Sequence, residues 1–217
     1  MPIHDNVQNI QRQIGPEITL VAAVKYTTKD HIMEAVDAGI KDIGFNTFQQ
    51  MEEIAPLLPK GARTHFIGTL QKNKVNKVID LNPYLIQSVD SYDLAKKIDT
   101  ASQKRNKIQD ILIQIKTDKE KDTGVLPEDM GALLRKISHL KNIKIAGLMT
   151  IPPYDGNPDN SRPYFRAMKS YFNEAEKILE KKLKYLSMGM SGDYMAAIEE
   201  GANMIRLGDR IFVDKRI

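Results

Sequence analysis

Short apolar runs alternate with amphipathic stretches along the chain, and turn-forming residues separate them. The first clear run covers residues 18–25, contains several β-branched residues and ends in Lys25. A run of this length without a turn former predicts a strand buried on both faces, as in parallel sheets. Because side chains alternate along a strand, Lys25 is expected on the same side as Val21 and Ala23. Its amine would then emerge at the C-terminal mouth of the sheet or barrel.

Seven further strands follow from the same pattern. They are predicted at residues 42–46, 64–68, 85–90, 110–116, 143–150, 185–190 and 204–207. Helical spacing predicts an opening helix at 6–14 and helices at 29–38, 48–58, 73–80, 92–103, from 127 onwards, 164–182 and 193–200. Residues 151–162, which are rich in proline, are expected to form the longest irregular loop.

Strands that alternate with helices predict parallel pairing through crossover helices, and eight strands are the number that closes a barrel. The sequence therefore predicts an α/β fold, a single (β/α)8 TIM-type barrel with an added N-terminal helix, and one domain over residues 1–217. An open doubly wound sheet is the alternative, but it would leave edge strands that the sequence does not visibly protect. Almost no helix follows strand eight, so the opening helix is expected to cover that flank.

Composition narrows the classes of function. The 32 basic and 28 acidic residues give a formal charge of +4 that is spread along the chain, which is weak support for a nucleic-acid surface and suits a phosphorylated small molecule equally well. The absence of cysteine excludes disulfides, thiol catalysis and thiolate metal sites. His4, His31 and His139 show no ligand spacing, so no metal site is expected, and His65 is expected to be a hydrogen-bonded barrel residue rather than a catalyst.

Neither a secretory leader nor a membrane-spanning stretch is recognisable in the sequence. The first residues lack a basic segment followed by an apolar one, and no apolar stretch approaches the length that a bilayer requires. A cytoplasmic protein without membrane contact is therefore expected.

The C-terminal ends of the strands converge on one face of such a barrel, and the last two ends carry the most information. Met190 and Ser191 lie between strand seven and a helix N-terminus, where free backbone N–H groups favour an anion. Gly208 and Asp209 follow strand eight, where glycine lets the backbone approach a ligand closely. Loops after strands seven and eight are a recurrent phosphate site of this fold. Alternatively, Ser191 and Asp193 are ordinary helix-cap residues.

Arg206 lies two residues before Gly208 and is expected to point into the barrel. A buried arginine needs a partner, which could be a carboxylate such as Asp90 or a ring nitrogen of a ligand. Lys25 is expected across the mouth from the phosphate site. An amine in that position suggests an aldehyde-bearing phosphate cofactor held by a Schiff base, for which pyridoxal 5′-phosphate (PLP) is the obvious candidate.

Four segments of the sequence resemble successive signatures of one known family. They are residues 22–25 (Ala-Ala-Val-Lys), 65–74 (from His-Phe-Ile-Gly to Lys-Asn-Lys), 147–153 (Gly-Leu-Met-Thr-Ile-Pro-Pro) and 186–193 (Leu-Ser-Met-Gly-Met-Ser-Gly-Asp). Their order, from about residue 18 to 212, resembles that of the pyridoxal phosphate homeostasis protein family. Members of this family are single-domain barrels similar to the N-terminal domain of alanine racemase.

The resemblance implies a role for several residues. Lys25 would hold PLP as a Schiff base, Ser191 and Gly208 would bind its phosphate, and Arg206 would face the pyridine nitrogen. Asn46 matches a family asparagine that lies near the cofactor.

Two positions depart from the family pattern. Residues 44–47 read Gly-Phe-Asn-Thr where the family usually has Gly-Glu-Asn-Tyr, and Asp209 replaces a small hydroxyl residue beside the phosphate loop. A carboxylate near a phosphate would weaken binding unless only its backbone N–H faces the ligand. Met190 and Asp209 complete the set of residues expected to contact the cofactor.

The function implied by the resemblance is PLP binding in intracellular PLP homeostasis, without substantial catalysis. The expected partners are PLP and apo forms of PLP-dependent enzymes, with no nucleic acid, and the chain is expected to be monomeric.

Two alternatives remain at this point. A PLP-dependent amino-acid racemase is the first, although racemisation needs a base on each face of the substrate carbon. In the alanine racemase relatives one base is a tyrosine from the side of a second domain, which a chain ending at Ile217 is expected to lack. The second is a barrel for another phosphorylated metabolite, with Lys25 as a general base or charge clamp.

Overall fold

Parallel strands close into a barrel in chain order, so that the first strand pairs with the last. The computed structural model describes residues 2–118, 120 and 122–212. Within these residues the barrel has eight strands: β1 (Thr19–Ala23), β2 (Asp42–Phe45), β3 (Arg63–Phe66), β4 (Leu85–Val89), β5 (Gln109–Gln114), β6 (Ile143–Met149), β7 (Tyr185–Ser187) and β8 (Met204–Leu207). The predicted (β/α)8 architecture is confirmed.

Helices cover the outside of this barrel and connect its strands. In the described part of the chain they are α1 (Ile3–Ile14), α2 (Lys29–Asp37), α3 (Phe48–Ile54), α4 (Val75–Asp80), α5 (Tyr92–Gln103), α6 (Pro127–Ser138), α7 (Pro158–Leu179), α8 (Tyr194–Glu199) and α9 (Asp209–Phe212). Single 3₁₀ turns at Ala55–Leu57 and Lys72–Lys74 extend α3 and precede α4.

The opening helix α1 covers the flank beside β8, as the sequence predicted. Asn6 Nδ2 donates to the carbonyl of Ile211 in α9 at 3.0 Å, and Tyr194 of α8 donates its hydroxyl to Gln13 Oε1 at 2.7 Å. Burial of its apolar face contributes about 1.5–3 kcal/mol for each large side chain relative to exposure. That face consists of Ile3, Val7, Ile10 and Ile14.

The first strand ends earlier than predicted, at Ala23 instead of Lys25. Tyr26 has a left-handed backbone with φ of 61°, and Thr27 N–H donates to the Val24 carbonyl at 3.1 Å. This turn ends the strand, so Lys25 lies in the turn and not in the strand. The sequence does not reveal it, because the turn contains neither glycine nor proline.

Helix α7 begins at Pro158, six residues before the predicted start. Proline is compatible with the first helical position because the N–H it lacks would have no partner there. The side chain of Asn157 caps this end by accepting from Asp159 N–H, and Arg162 pairs with Glu199 of α8 at 2.6 Å. The irregular loop after β6 is therefore shorter than the proline-rich sequence suggested.

The barrel has two apolar regions of unequal size. The larger one lies between the strands and the helices. The smaller one fills part of the barrel interior and consists of Val21, Leu85, Leu112, Ala146, Met149, Tyr185 and Met204. Buried polar side chains from five strands share the interior with them: Asp42, His65, Gln87, Ser187 and Arg206.

His65 is a neutral, hydrogen-bonded residue of this interior, as the sequence suggested. Its Nε2 lies 2.8 Å from Asp42 Oδ1, and Gln87 Nε2 lies 3.0 Å from its Nδ1. An amide nitrogen can only donate, so Nδ1 accepts and Nε2 carries the hydrogen. Burial lowers the pKa of His65 and outweighs the opposing hydrogen bond and charge of Asp42. Burial raises the pKa of Asp42, but hydrogen bonds from His65 and Arg63 lower it overall.

We expect the free energy of unfolding to decrease as the pH falls below about 6.5, the ordinary histidine pKa. His65 binds a proton less readily in the folded protein than in the unfolded chain, so protonation favours unfolding by up to about 1.4 kcal/mol per pH unit. Asp42 adds a separate loss only below its ordinary pKa of 3.8. Urea unfolding at pH 7.5, 6.5 and 5.5 measures the slope.

The variant His65→Gln should show a smaller loss of stability over that range than the wild type. The control His139→Gln changes an exposed histidine after α6 and should keep the wild-type slope. Equal slopes for His65→Gln and wild type would contradict a neutral imidazole at position 65.

Candidate functional site

The loops after β7 and β8 meet at the hydroxyl of Ser191. The backbone N–H groups of Gly208 and Arg210 both donate to Ser191 Oγ at 3.3 Å, and Arg210 Nε donates to the Ser191 carbonyl at 3.0 Å. The structure therefore brings Ser191 and Gly208 together, as the sequence predicted. In this structure Ser191 Oγ is the acceptor of both N–H groups, and clustered backbone N–H groups of this kind also suit an anion.

The turn before α8 has a fixed backbone. Gly189 has φ of 95°, and a Cβ there would lie 2.7 Å from the Cβ of Ala197, so the turn requires glycine. Asp193 is 2% exposed, and its Oδ1 accepts from Met190 N–H at 2.7 Å. Asp193 occupies the N-cap position of α8, as one alternative predicted, but its side chain makes no capping hydrogen bond. Ser191 bonds to the loop after β8 and not to α8, so its interpretation as a helix cap is wrong.

Lys25 lies in the turn after β1, and the end of that strand lies next to the loop after β8. Ala23 at the end of β1 lies beside Gly208, where a Cβ would come within 3.0 Å of the Ala23 carbonyl oxygen. Lys25 follows two residues later and is exposed, and its Nζ lies 4.6 Å from the centroid of the Tyr26 ring. The turn that carries Lys25 therefore follows a strand end that lies beside the loop after β8, and a position of the amine across from Ser191 stays a prediction.

Arg206 points into the barrel interior and is 4% exposed. Its Nη1 donates to Ser187 Oγ at 2.6 Å and its Nη2 to the Thr150 carbonyl at 2.8 Å. Burial lowers the pKa of Arg206 to about 10, although the negative charge of Asp193 acts in the opposite direction. The guanidinium is therefore still protonated at neutral pH.

Asp90, which the sequence offered as a carboxylate partner of Arg206, has a different partner. Its Oδ2 accepts from the backbone N–H of Gly124 at 3.4 Å. The hydrogen bonds of Arg206 go to neutral oxygens instead, so the alternative that Asp90 is its partner is wrong.

The remaining two predicted residues lie on the same face of the barrel. Asn46 follows β2 and is half-buried, and its backbone carbonyl packs against Gly68. Asp209 is the exposed first residue of α9 and lines a groove between α1 and the Ser191 loop, beside Gln13.

The sequence analysis missed Tyr154, which lies between β6 and α7. Its hydroxyl donates to the Gly156 carbonyl at 3.2 Å and lies 3.4 Å from the Gly192 carbonyl oxygen. A Cβ at Gly192 would lie 2.3 Å from Tyr154 Cζ, so the aromatic ring rests directly on the turn that follows Ser191. Gly192, next to Ser191 in the sequence, is the signal that could have indicated an aromatic ring packed on this turn.

The chemistry of these groups fits one class of ligand. Lys25 offers a primary amine, which reacts with aldehydes, and the N–H groups of Gly208 and Arg210 suit a phosphate. Arg206 offers a buried cation with hydrogen-bond donors, which suits a ring nitrogen. An aromatic aldehyde that carries a phosphate, as PLP does, matches all three.

The part of the chain that the structure describes meets the requirements of neither a metal site nor a membrane-spanning helix. Its side chains form no group of three or more His, Cys, Asp or Glu that could hold a metal ion. Across the same residues, no helix has the length and apolar character that crossing a membrane requires.

Comparison with known proteins identifies close relatives. Residues 2–215 match the family model described as the N-terminal domain of alanine racemase. The pyridoxal phosphate homeostasis protein of Aquifex aeolicus is 38% identical over 199 residues, which cover 91% of this chain and 87% of that protein. The protein of the same name from Synechocystis is 38% identical over 205 residues and covers 93% and 94% of the two chains.

A solved structure agrees with these relatives. The PipY protein of Synechococcus elongatus, determined with PLP bound, superimposes with a TM-score of 0.91 at 30% sequence identity. The superposition covers 97% of this chain and all of that one.

We expect Gly68→Ala to destabilise the protein by about 1–3 kcal/mol, as overpacking of a well-packed region commonly does. A Cβ at this position would lie 1.9 Å from the backbone oxygen of Asn46, and backbone cannot move aside as a flexible side chain can. Urea unfolding compares this variant with Gly131→Ala, in which the new methyl group lies in helix α6. Gly131→Ala should be neutral or stabilise by up to about 1 kcal/mol. Equal stability of the two variants would contradict the tight contact at Asn46.

Proposed function

Because the chain belongs to the pyridoxal phosphate homeostasis protein family, within the wider family of alanine racemase N-terminal domains, we propose that it binds PLP and takes part in intracellular PLP homeostasis. The observation that carries the proposal is the convergence of two backbone N–H groups at Ser191, beside the strand end that leads to Lys25. The names of the relatives and the PLP bound to PipY support the same cofactor.

Lys25 holds the cofactor covalently in this proposal. Its primary amine would be the group that holds PLP, whose aldehyde would supply the chemistry of condensation with amines. Ser191 and Gly208 bind the phosphate, the former through its hydroxyl and the latter through its backbone N–H. The exposure of Lys25 keeps the amine accessible to incoming cofactor.

The other predicted residues complete the site. Arg206 would hold the pyridine nitrogen with its buried guanidinium, and Asn46 would contact the cofactor from the end of β2. Met190 and Asp209 belong to the two phosphate-binding loops, and the exposed carboxylate of Asp209 moderates the affinity for phosphate.

The same residues favour holding the cofactor over using it for catalysis. PLP supplies an aromatic ring that stabilises carbanions best when its nitrogen is protonated. Arg206 stays protonated at neutral pH, and a cation that donates to this nitrogen disfavours a proton on it. Lys25 and Tyr26 are both exposed, so the mouth is open to water, which suits exchange of the cofactor better than chemistry that needs water excluded.

We further propose that residues 1–217 form one domain that acts as a monomer in the cytoplasm and binds no nucleic acid. Apo forms of PLP-dependent enzymes are its proposed partners, because a reversibly held aldehyde can be passed on to them. The charge of +4 without a block of like charge is consistent with a small phosphorylated ligand.

Reconstitution with PLP should give a yellow protein, and borohydride reduction should fix the cofactor on the peptide that contains Lys25. The variant Lys25→Ala should lose the visible absorbance band and keep its stability, because shortening an exposed side chain removes little packing. Lys29→Ala, which changes another exposed lysine close by, should retain the band. Cofactor found by mass spectrometry on a different lysine would refute the assignment of Lys25.

The PLP-loaded protein should convert amino acids slowly or not at all, because Arg206 disfavours protonation of the ring nitrogen. Incubation with each proteinogenic amino acid, followed by chiral chromatography and a keto-acid assay, measures racemisation and transamination. Rates of about 1 per second or faster, which are ordinary for enzymes, would favour the racemase alternative over the homeostasis function.

A further inference from the structure

Arg206 is one end of a buried chain of hydrogen bonds that crosses the barrel interior, here called the Arg206–Asp42 chain. Arg206 Nη1 is 2.6 Å from Ser187 Oγ, which is 2.7 Å from Gln87 Oε1. Gln87 Nε2 is 3.0 Å from His65 Nδ1, and His65 Nε2 is 2.8 Å from Asp42 Oδ1. All five side chains are buried, and they come from five different strands.

Every bond in the chain has the same direction. A guanidinium can only donate, so Ser187 accepts from Arg206 and gives its own hydrogen to the carbonyl oxygen of Gln87. The amide nitrogen of Gln87 then donates to Nδ1 of His65, and Nε2–H of His65 donates to the carboxylate of Asp42. With a cation at the donor end and a carboxylate at the acceptor end, the order cannot reverse, and each bond polarises the next.

The acceptor end is held in place by a second cation. Arg63 pairs with the other carboxylate oxygen of Asp42, so this carboxylate stays ionised and its Oδ1 is fixed toward His65. The ring of Tyr84 packs against His65 in a tilted contact, with 5.4 Å between the ring centroids. The imidazole can therefore neither turn away nor exchange its tautomer without losing two partners.

We propose that Ser187, Gln87 and His65 are positioning residues that hold the guanidinium of Arg206 in a single orientation at the cofactor. Arg206 has two fixed contacts, Ser187 Oγ and the Thr150 carbonyl, and two contacts define the plane of a guanidinium. The Ser187 contact depends on Gln87, since only a hydroxyl that gives its hydrogen elsewhere offers its lone pairs fully to Arg206. The part of the proposal that concerns the cofactor rests on the proposed function.

The side chains that surround the Arg206–Asp42 chain show that packing of the barrel interior does not by itself require polar groups. Leu85, two residues before Gln87 on β4, belongs to the apolar cluster of the interior, as does Met204, whose Sδ accepts a further hydrogen bond from Gln87 Nε2 at 3.3 Å. Apolar side chains therefore fit the same part of the interior. A buried polar side chain costs free energy unless it is fully bonded, so an uninterrupted series of such groups ending at a site residue indicates a role at that site.

The variant Gln87→Met tests the proposal by removing the central donor and acceptor while keeping a side chain of similar length. Its matched control is Gln109→Met, which makes the same change at a glutamine of β5. Gln109 is 1% exposed and is not part of the Arg206–Asp42 chain. Nitrogen NMR of the protein without PLP should show slower exchange of the Arg206 guanidinium hydrogens in wild type and Gln109→Met than in Gln87→Met. The His65 Nδ1 resonance should shift in Gln87→Met alone.

A second readout uses the cofactor. Loss of the fixed Arg206 orientation should change the visible absorbance of bound PLP and its pH dependence, and weaken PLP binding about tenfold, the effect of one hydrogen bond to a charged group. Gln109→Met should keep the wild-type spectrum and affinity. Unchanged Arg206 exchange in Gln87→Met would overturn the positioning role, and so would a wild-type spectrum and affinity in a variant whose His65 resonance has shifted.

Ser187→Ala provides the test should Gln87→Met fail to fold. It removes the acceptor of Arg206 directly, and Ser102→Ala is its control at a buried serine of α5 outside the chain. Ser187→Ala should reproduce the faster Arg206 exchange and the spectral change, and Ser102→Ala should not. A wild-type protein that binds no PLP would refute the proposed function, and the Arg206 exchange rates would still decide whether the chain positions this residue.

Discussion

A positive charge buried inside a closed barrel constrains much of this structure. Arg206 keeps its proton at neutral pH although burial lowers its pKa to about 10, so its donors need oxygen partners in a region that most barrels fill with branched apolar side chains. Ser187 and the Thr150 carbonyl supply those oxygens. The interior therefore contains a small apolar cluster beside the Arg206–Asp42 chain. Arg206 itself lies on β8, the strand that precedes one of the two loops of the site.

The site itself depends on how closely backbone segments approach each other. Gly208 lets the end of β8 lie against Ala23, and Gly189 permits the turn that presents Ser191. Gly147 permits a similarly close approach between β6 and β7, because a Cβ there would lie 1.8 Å from the Tyr185 carbonyl oxygen. In each place the missing side chain allows a contact that positions a neighbouring group, which is why several glycines lie on strands or directly after them.

The periodicity of apolar residues was sufficient to predict the strands, the barrel and the covering role of α1, because each of these depends on local pattern and on the strand number. The turn at Tyr26 was not predictable from the same pattern, since tyrosine rarely adopts a left-handed backbone. The early start of α7 was not predictable because it places Pro163 inside the helix, where proline usually breaks it. The meeting of Ser191 and Gly208 was predictable because strand order fixes which loops are neighbours, whereas the position of the Lys25 amine relative to them stays a prediction. The partner of Arg206 and the roles of Gln87 and Ser187 depend on side chains from distant strands, whose convergence no local pattern reveals.

The contact between β1 and β8 also determines when the site can form. Lys25 lies in the turn after β1, the first strand made during synthesis, whereas Gly208 and Arg210 belong to the last described segment. Helix α1 completes its contacts only with α8 and α9. Contacts between residues so far apart in sequence form slowly, because closing a long loop of chain costs entropy before any interaction compensates for it. A nascent or partly folded chain therefore exposes the amine of Lys25 without the N–H groups that would retain a phosphate beside it. A ligand that needs both the amine and the N–H groups can therefore be bound only after β1 and β8 have paired and closed the barrel.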